Sequence, residues 1–407
     1  MKQFFLCFYA GVLLLGSFTQ AQSISDSEAL TKARALLKNF PLIDGHNDLP
    51  WVIRADDEAP MDVEAYDLRK KTKGDTDIDR LRSGGVGAQF WSVYIPSNLT
   101  TGFAKAQLEQ IDIALRMIEL YPDVFELAAT ADEIEKIFSK GKIASVLGIE
   151  GGKAIENSPA AIRIFYRLGV RYMTLTHSGT TDWADACTDT ARHGGLSPLG
   201  ENLIREMNRT GMLIDLSHVS DATMSDALNI SQAPVIFSHS SVRALANHVR
   251  NVPDSILLRI PKNGGIVMVT VIPNFTSEEK RIWEDKLSAH LKGIKDRAER
   301  NKAREAYIRK HPEPKATLKQ VADHIDYIKN KIGADYVGIG ADYFGEADVA
   351  EGMEDVSKYP YLFAELIKRG WSDADLKKLA GGNILRVLRQ AEDTAKELQN
   401  STKAMIK

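Results

Sequence analysis

Cysteine is almost absent from this chain: Cys7 and Cys187 are the only two among 407 residues. Cys7 falls in an N-terminal apolar stretch that reads as a removable leader. The mature chain then carries one thiol, which excludes an intrachain disulfide. Stability without a disulfide requires a large core, and a hydrophobic content of 44% in a chain of this length can build one. An excess of positive charge is missing too. The formal net charge of −3 offers no basic surplus to neutralise phosphates, which argues against a nucleic-acid partner. Residues 401–407 are polar, with no apolar tail for attachment of a lipid anchor. No Gly/Ser-rich linker or shift in composition divides the chain, so residues 22–400 read as one domain followed by a polar tail.

What is present begins with the leader. Residues 1–21 join an early Lys2 to an apolar run from Phe4 to Leu15 and end on Thr19-Gln20-Ala21. That pattern is expected of a secretory signal peptide cut after Ala21, the run being short for a membrane span. The mature protein is expected to be secreted or periplasmic, without a stable membrane anchor.

Eight apolar, β-rich runs follow, at 41–46, 86–95, 143–149, 170–176, 212–217, 234–238, 265–272 and 336–341. Most are short, continuous and rich in Val, Ile and Leu, as strands buried on both faces should be. Helical spacing lies between them, at 160–168 before Gly169, at 199–208 before Gly211, and at 220–228 with Ser220 or Asp221 as N-cap. Alternation of this kind predicts an α/β fold with a parallel sheet, and eight repeats predict a closed (β/α)8 TIM-like barrel. A doubly wound open sheet is the alternative. Two segments look added: a charged loop over 55–79, and a charged, mostly solvated helix over 277–315 between the seventh and eighth runs. Helices over 361–368 and 373–390 are expected to close the chain.

The runs end on reactive residues. In Asp44-Gly45-His46-Asn47-Asp48, extended backbone would point His46 and Asp48 to one side, a geometry suited to a divalent cation. The third run closes on Glu150, the fourth on His177, the fifth on His218, the sixth on His239 and the eighth on Asp342. Any one of these is most simply a hydrogen-bonded loop residue. Seven ionisable groups at the catalytic face of one barrel are different, because crowded carboxylates repel and raise one another's pKa. A pair of divalent cations about 3.5–4 Å apart would relieve that repulsion, with neutral imidazoles completing their shells. Nitrogen and oxygen donors without thiolate fit zinc first, with manganese or cobalt possible.

These motifs, together with Ile149-Glu150-Gly151-Gly152, Leu175-Thr176-His177, Asp215-Leu216-Ser217-His218, Phe237-Ser238-His239-Ser240-Ser241, Arg250-Asn251-Val252-Pro253-Asp254 and Gly338-Ile339-Gly340-Ala341-Asp342, resemble the membrane (renal) dipeptidases, zinc peptidase family M19. The resemblance covers nearly all of the mature chain. It implies a metal-dependent hydrolase barrel that cleaves dipeptides, with two zinc ions per chain bridged by Glu150. His46 and Asp48 would bind one zinc, and His218 and His239 the other. His177 would contact the substrate and stabilise the intermediate, Arg250 would bind the C-terminal carboxylate, and Asp342 would serve as acid and base. A homodimer is also implied. Rival readings are an amidohydrolase acting on acylated amino acids or lactams, and a metal-binding barrel without catalysis.

The chain departs from the family pattern after Asp342, where Tyr343-Phe344-Gly345 stands in place of an aromatic followed by Asp-Gly. Ser178-Gly179 follows His177 where mammalian relatives carry Asn-Cys, and no family role attaches to the 277–315 segment. His193, His248, His290, His311 and His324 lie away from the strand ends and are expected to be ordinary loop or packed helix residues.

Overall fold

The computed structural model describes Met1 and residues 24–96, 98–345 and 348–406. The expected leader over 1–21 lies, apart from Met1, outside the described residues. Among these residues nine strands form: β1 (Leu42–Asn47), β2 (Val86–Tyr94), β3 (Phe125–Leu127), β4 (Ile143–Glu150), β5 (Val170–Thr174), β6 (Leu213–Asp215), β7 (Ile236–Phe237), β8 (Ile266–Val269) and β9 (Val337–Ile339).

All pairings between them are parallel, in the order β2-β1-β9-β8-β7-β6-β5-β4. β2 then pairs with β4, from Ala88 opposite Ala144 to Tyr94 opposite Glu150, which closes an eight-stranded barrel. The eight expected runs supply those eight strands. β3 pairs with the first residues of β4, whereas β5 takes the last, so the ninth strand stands outside the closure. Both faces of the barrel wall are covered, and β1, β4, β5 and β6 are buried at every residue. That is why their apolar runs are continuous rather than alternating.

The crossover helices stop and start on the residues chosen for it. Pro159–Arg167 is followed by Gly169 at φ 103°, and Pro198–Thr210 ends on left-handed Gly211. Ser220, rather than Asp221, caps Asp221–Ile230 by accepting the Thr223 N–H. The closing helices run Tyr359–Lys368 and, from Asp373–Lys377 through a wider helical turn at Lys378–Gly382, on into Asn383–Ser401. The polar C-terminal tail folds back: the Met405 N–H donates to Glu206, and Arg163 donates to the Met405 carbonyl.

One expectation requires correction. The charged segment over 277–315 is two helices, Glu278–Leu291 and Arg297–Lys310, rather than one. Trp283, Leu287 and Leu291 pack with Ile294, Ala303, Tyr307 and Ile308 into a small core separate from that of the barrel. The second helix buries no residue completely, so its charge pattern hid the turn between the two.

Candidate active site

Each candidate side chain stands at the C-terminal end of a strand or in the loop that follows it. His46 lies in β1, and Asp48 begins the helix Leu49–Arg54 that follows. Glu150 ends β4, His177 follows β5, His218 follows β6, and His239 and Arg250 follow β7. Asp342 follows β9, its backbone N–H donating to the His46 carbonyl at 3.2 Å. The barrel therefore brings together residues separated by nearly 300 positions (Asp44 and Ala341 are bonded across 297).

The metal-ligating atoms face one another. His46 Nε2 lies 3.4 Å from Asp48 Oδ2, 3.5 Å from Glu150 Oε2 and 3.9 Å from Asp342 Oδ1. His218 Nε2 lies 2.9 Å from Glu150 Oε1, His239 Nε2 lies 3.4 Å from the same oxygen, and the two nitrogens are 3.0 Å apart. His177 Nε2 is 3.8 Å from Glu150 Oε1. Glu150 thus presents one oxygen to each side. The donor atoms fall into three overlapping groups: His46, Glu150 and His239; Glu150, His177 and His218; and His46, Asp48 and Asp342.

Two observations fit this cluster to cations. His46 Nε2 and Asp48 Oδ1 are buried and have no hydrogen-bond partner, a costly state for polar atoms without a ligand. The charges are also unbalanced. Burial opposes protonation of His46, yet Tyr172, Asp48 and Glu150 draw a proton onto it and lift its pKa well above the ordinary value. Asp342 is pushed well above the carboxylate range by burial, and then by Asp48 and Glu150. His218 and His239, by contrast, are held far below the ordinary range by burial, in the neutral form that ligates metal.

Behind the donors lies a set of orienting groups that sequence reasoning missed. The Tyr172 hydroxyl donates to the Gly45 carbonyl at 3.3 Å and stands 2.7 Å from His46 Nδ1. That arrangement makes Nδ1–H the donor to the hydroxyl and leaves the Nε2 lone pair facing the cluster. Tyr172 fits there because residue 148 is glycine; a Cβ at that position would lie 2.0 Å from Tyr172 Cζ. Across the barrel, the Ser238 hydroxyl donates to Asp215 Oδ2 at 2.6 Å and lies 2.7 Å from His239 Nδ1, fixing that ring in the same sense. Three non-glycine residues around the site, His218, Asp342 and Phe344, hold left-handed backbone at φ 69°.

The donors open into a cavity of about 930 Å³. Arg250 lines it, 3% exposed, with its guanidinium bonded to the His239 carbonyl and 5.2 Å above the Phe275 ring. His248 lines it as well and accepts the Arg250 backbone N–H through Nδ1, which corrects its reading as a residue remote from the site. His324 conforms to expectation: it is buried between the Val242 N–H and the Thr276 carbonyl.

Residues 30–402 match the model of the family described as membrane dipeptidase, peptidase family M19. The chain belongs to this family. It is a metallo-dipeptidase of the M19 type, a hydrolase, and shares the family's (β/α)8 barrel. Dipeptidase 3 of Mus musculus is 40% identical over 389 residues, covering 94% of this chain and 71% of the relative. Dipeptidase verJ of Clonostachys rogersoniana is 40% identical over 389 residues, covering 93% of this chain and 91% of the relative. Among solved structures, the probable dipeptidase PvdM from Pseudomonas aeruginosa superposes with a TM-score of 0.79 at 26% identity, covering 91% of this chain and all of that one. Among the described residues, no helix of this M19 peptidase is long and apolar enough to cross a membrane.

Proposed function

We propose that this M19 peptidase is a dinuclear zinc dipeptidase in which Glu150 is shared between two ions. His46 and Asp48 would hold one ion, and His218 and His239 the other. The observation that carries the reading is the pair of buried, orphaned atoms His46 Nε2 and Asp48 Oδ1, the nitrogen 3.5 Å from Glu150 Oε2. Donors of nitrogen and oxygen without sulfur favour zinc. When bound, two such ions supply an acidified water and a Lewis acid for the scissile carbonyl.

The remaining work falls to side chains of this chain. The buried Arg250 guanidinium pairs with the C-terminal carboxylate of a dipeptide, which gives a reason for preferring short peptides with free ends. His177, on the cavity wall beside Glu150 and His218, donates to the carbonyl oxygen as it gains charge. Asp342, whose burial favours its protonated form, passes a proton to the leaving amine. Asp48 is committed to the metal, so proton transfer is assigned to Asp342.

In this reading residues 1–21 are a leader removed on export, residues 22–400 are the catalytic domain, and 401–407 are its polar tail. The enzyme works as a homodimer, secreted or periplasmic. The test is hydrolysis of a small dipeptide panel with metal content measured on the same preparation. One metal or fewer per active chain would sink the dinuclear assignment. Equal cleavage of a dipeptide and its C-terminal amide would remove Arg250 from substrate binding.

A further inference from the structure

Aromatic rings line the cavity on two sides: Phe275 beside His248 and Arg250, and Trp51, Tyr94 and Phe344 in a group of three, beside Asp48 and Asp342. The barrel order explains the division. Arg250 follows β7 and His218 follows β6, while Trp51, Tyr94 and Phe344 belong to β1, β2 and β9 or to the loops after them. With strands ordered 1-2-4-5-6-7-8-9 around the closed wall, β1 and β2 stand across the mouth from β6 and β7.

The group of three is built firmly. Trp51 and Tyr94 meet edge to face at 5.1 Å. Phe344 sits in a turn anchored on both flanks: the Tyr343 hydroxyl donates to the Met353 and Asp355 carbonyls, and the Gly345 N–H donates to the Asp342 carbonyl. Its ring lies against Gly74, where an added Cβ would come within 2.2 Å of Phe344 Cε1. The loop over 55–79 therefore backs the ring and leaves it little freedom to turn away. Phe344 also has left-handed backbone at φ 69°, a conformation a bulky residue adopts only where its surroundings enforce it.

A dipeptide is short enough for this division to set its orientation. Two extended residues span roughly 7 Å, so a carboxylate held at Arg250 sends the amino-terminal residue toward the β1, β2 and β9 side. There the rings of Trp51, Tyr94 and Phe344 face its side chain. We propose that Phe344, with Trp51 and Tyr94, forms the subsite for the amino-terminal side chain and selects large apolar residues at that position. This assignment rests on the dipeptidase reading and adds a specificity to it.

The test compares kcat/KM for Phe-Ala, Gly-Ala, Lys-Ala and Ala-Phe, with zinc supplied, in the wild type, Phe344→Asp and Phe344→Leu. The wild type should prefer Phe-Ala to Gly-Ala by about tenfold or more, the scale on which apolar pockets discriminate. Phe344→Asp should lower that ratio by about tenfold and raise the Lys-Ala to Gly-Ala ratio, whereas Phe344→Leu should keep the apolar preference. Should Phe344→Asp fail to fold, Phe344→Asn replaces it, since Asn accepts left-handed backbone. An unchanged Phe-Ala to Gly-Ala ratio in a folded variant, or a change confined to Ala-Phe, overturns the assignment of Phe344 alone. No hydrolysis of any of these peptides by the zinc-supplied wild type overturns the dipeptidase reading and the subsite together.

Discussion

Replacing Tyr172 by Phe removes one oxygen and keeps the ring that packs 5.5 Å from Phe90. The lost hydroxyl is the partner of His46 Nδ1 at 2.7 Å, in a place with no exposed surface through which water could substitute. An unsatisfied buried donor destabilises by about 1–3 kcal/mol, so the metal-free protein should lose about that much. The larger effect should fall on the metal. Without its acceptor the His46 ring is free to rotate, and Nε2 no longer aims at the point shared with Asp48 and Glu150. Loss of such an orienting partner weakens metal binding by about 10–100-fold. Competition titration against a chelator of known affinity would read this directly, with denaturant unfolding of the metal-free form as the companion measurement. On the proposed dinuclear assignment, weakened binding of one ion with the other unchanged is the expected pattern. Unchanged affinity for both ions alongside unchanged stability would refute the role given to Tyr172.

Further outcomes follow from other parts of the site and its support. Asp342→Asn should abolish turnover while both metals stay bound; activity equal to the wild type, with metal content checked by elemental analysis, would remove Asp342 from the mechanism. Gly148→Ala would drive a Cβ to 2.0 Å from Tyr172, so a loss of about 1–3 kcal/mol in unfolding free energy is expected from overpacking, with metal affinity falling in parallel. His324 has its pKa lowered to about 4 by burial, against an ordinary 6.5. The unfolded chain therefore binds a proton that the fold refuses, and stability should drop as pH falls from 6.5 to 4, by on the order of 3 kcal/mol from this residue. Urea unfolding across that interval should show a shallower pH dependence in His324→Gln; identical slopes would contradict the assignment.

The residues that converge in the candidate site were legible because chemistry interrupts apolar runs there. His46, Glu150, His218 and His239 each follow a stretch that a buried strand requires, and polar groups in such places need partners. Their orienting groups were not legible. Tyr172 and Asp215 lie inside or at the end of strands whose residues are all buried, where a tyrosine or aspartate reads as one more wall residue. Tyr172 is 126 residues from the histidine it orients, a pairing that appears only when the barrel closes. Gly148 was equally silent, since its meaning is the ring that occupies the space of its missing side chain. Fold class came through because it depends on the count and period of the runs. β3 did not, being three residues whose burial falls away from Phe125 to Leu127, with no continuous apolar run to mark it. The two helices at 278–291 and 297–310 merged into one for a related reason: a surface rich in charge hides where a helix turns back.

His218 and Asp342 hold left-handed backbone, a conformation that histidine and aspartate adopt more readily than most other side chains do. Selection acting on resistance to heat alone would favour asparagine at position 342, which keeps that backbone and removes the repulsion from Asp48 and Glu150. The substitution expected to silence the enzyme is thus one that a search for hardier variants should find. An improvement programme for this protein that counts only survival at high temperature would enrich inactive molecules, and every round would have to be checked for turnover.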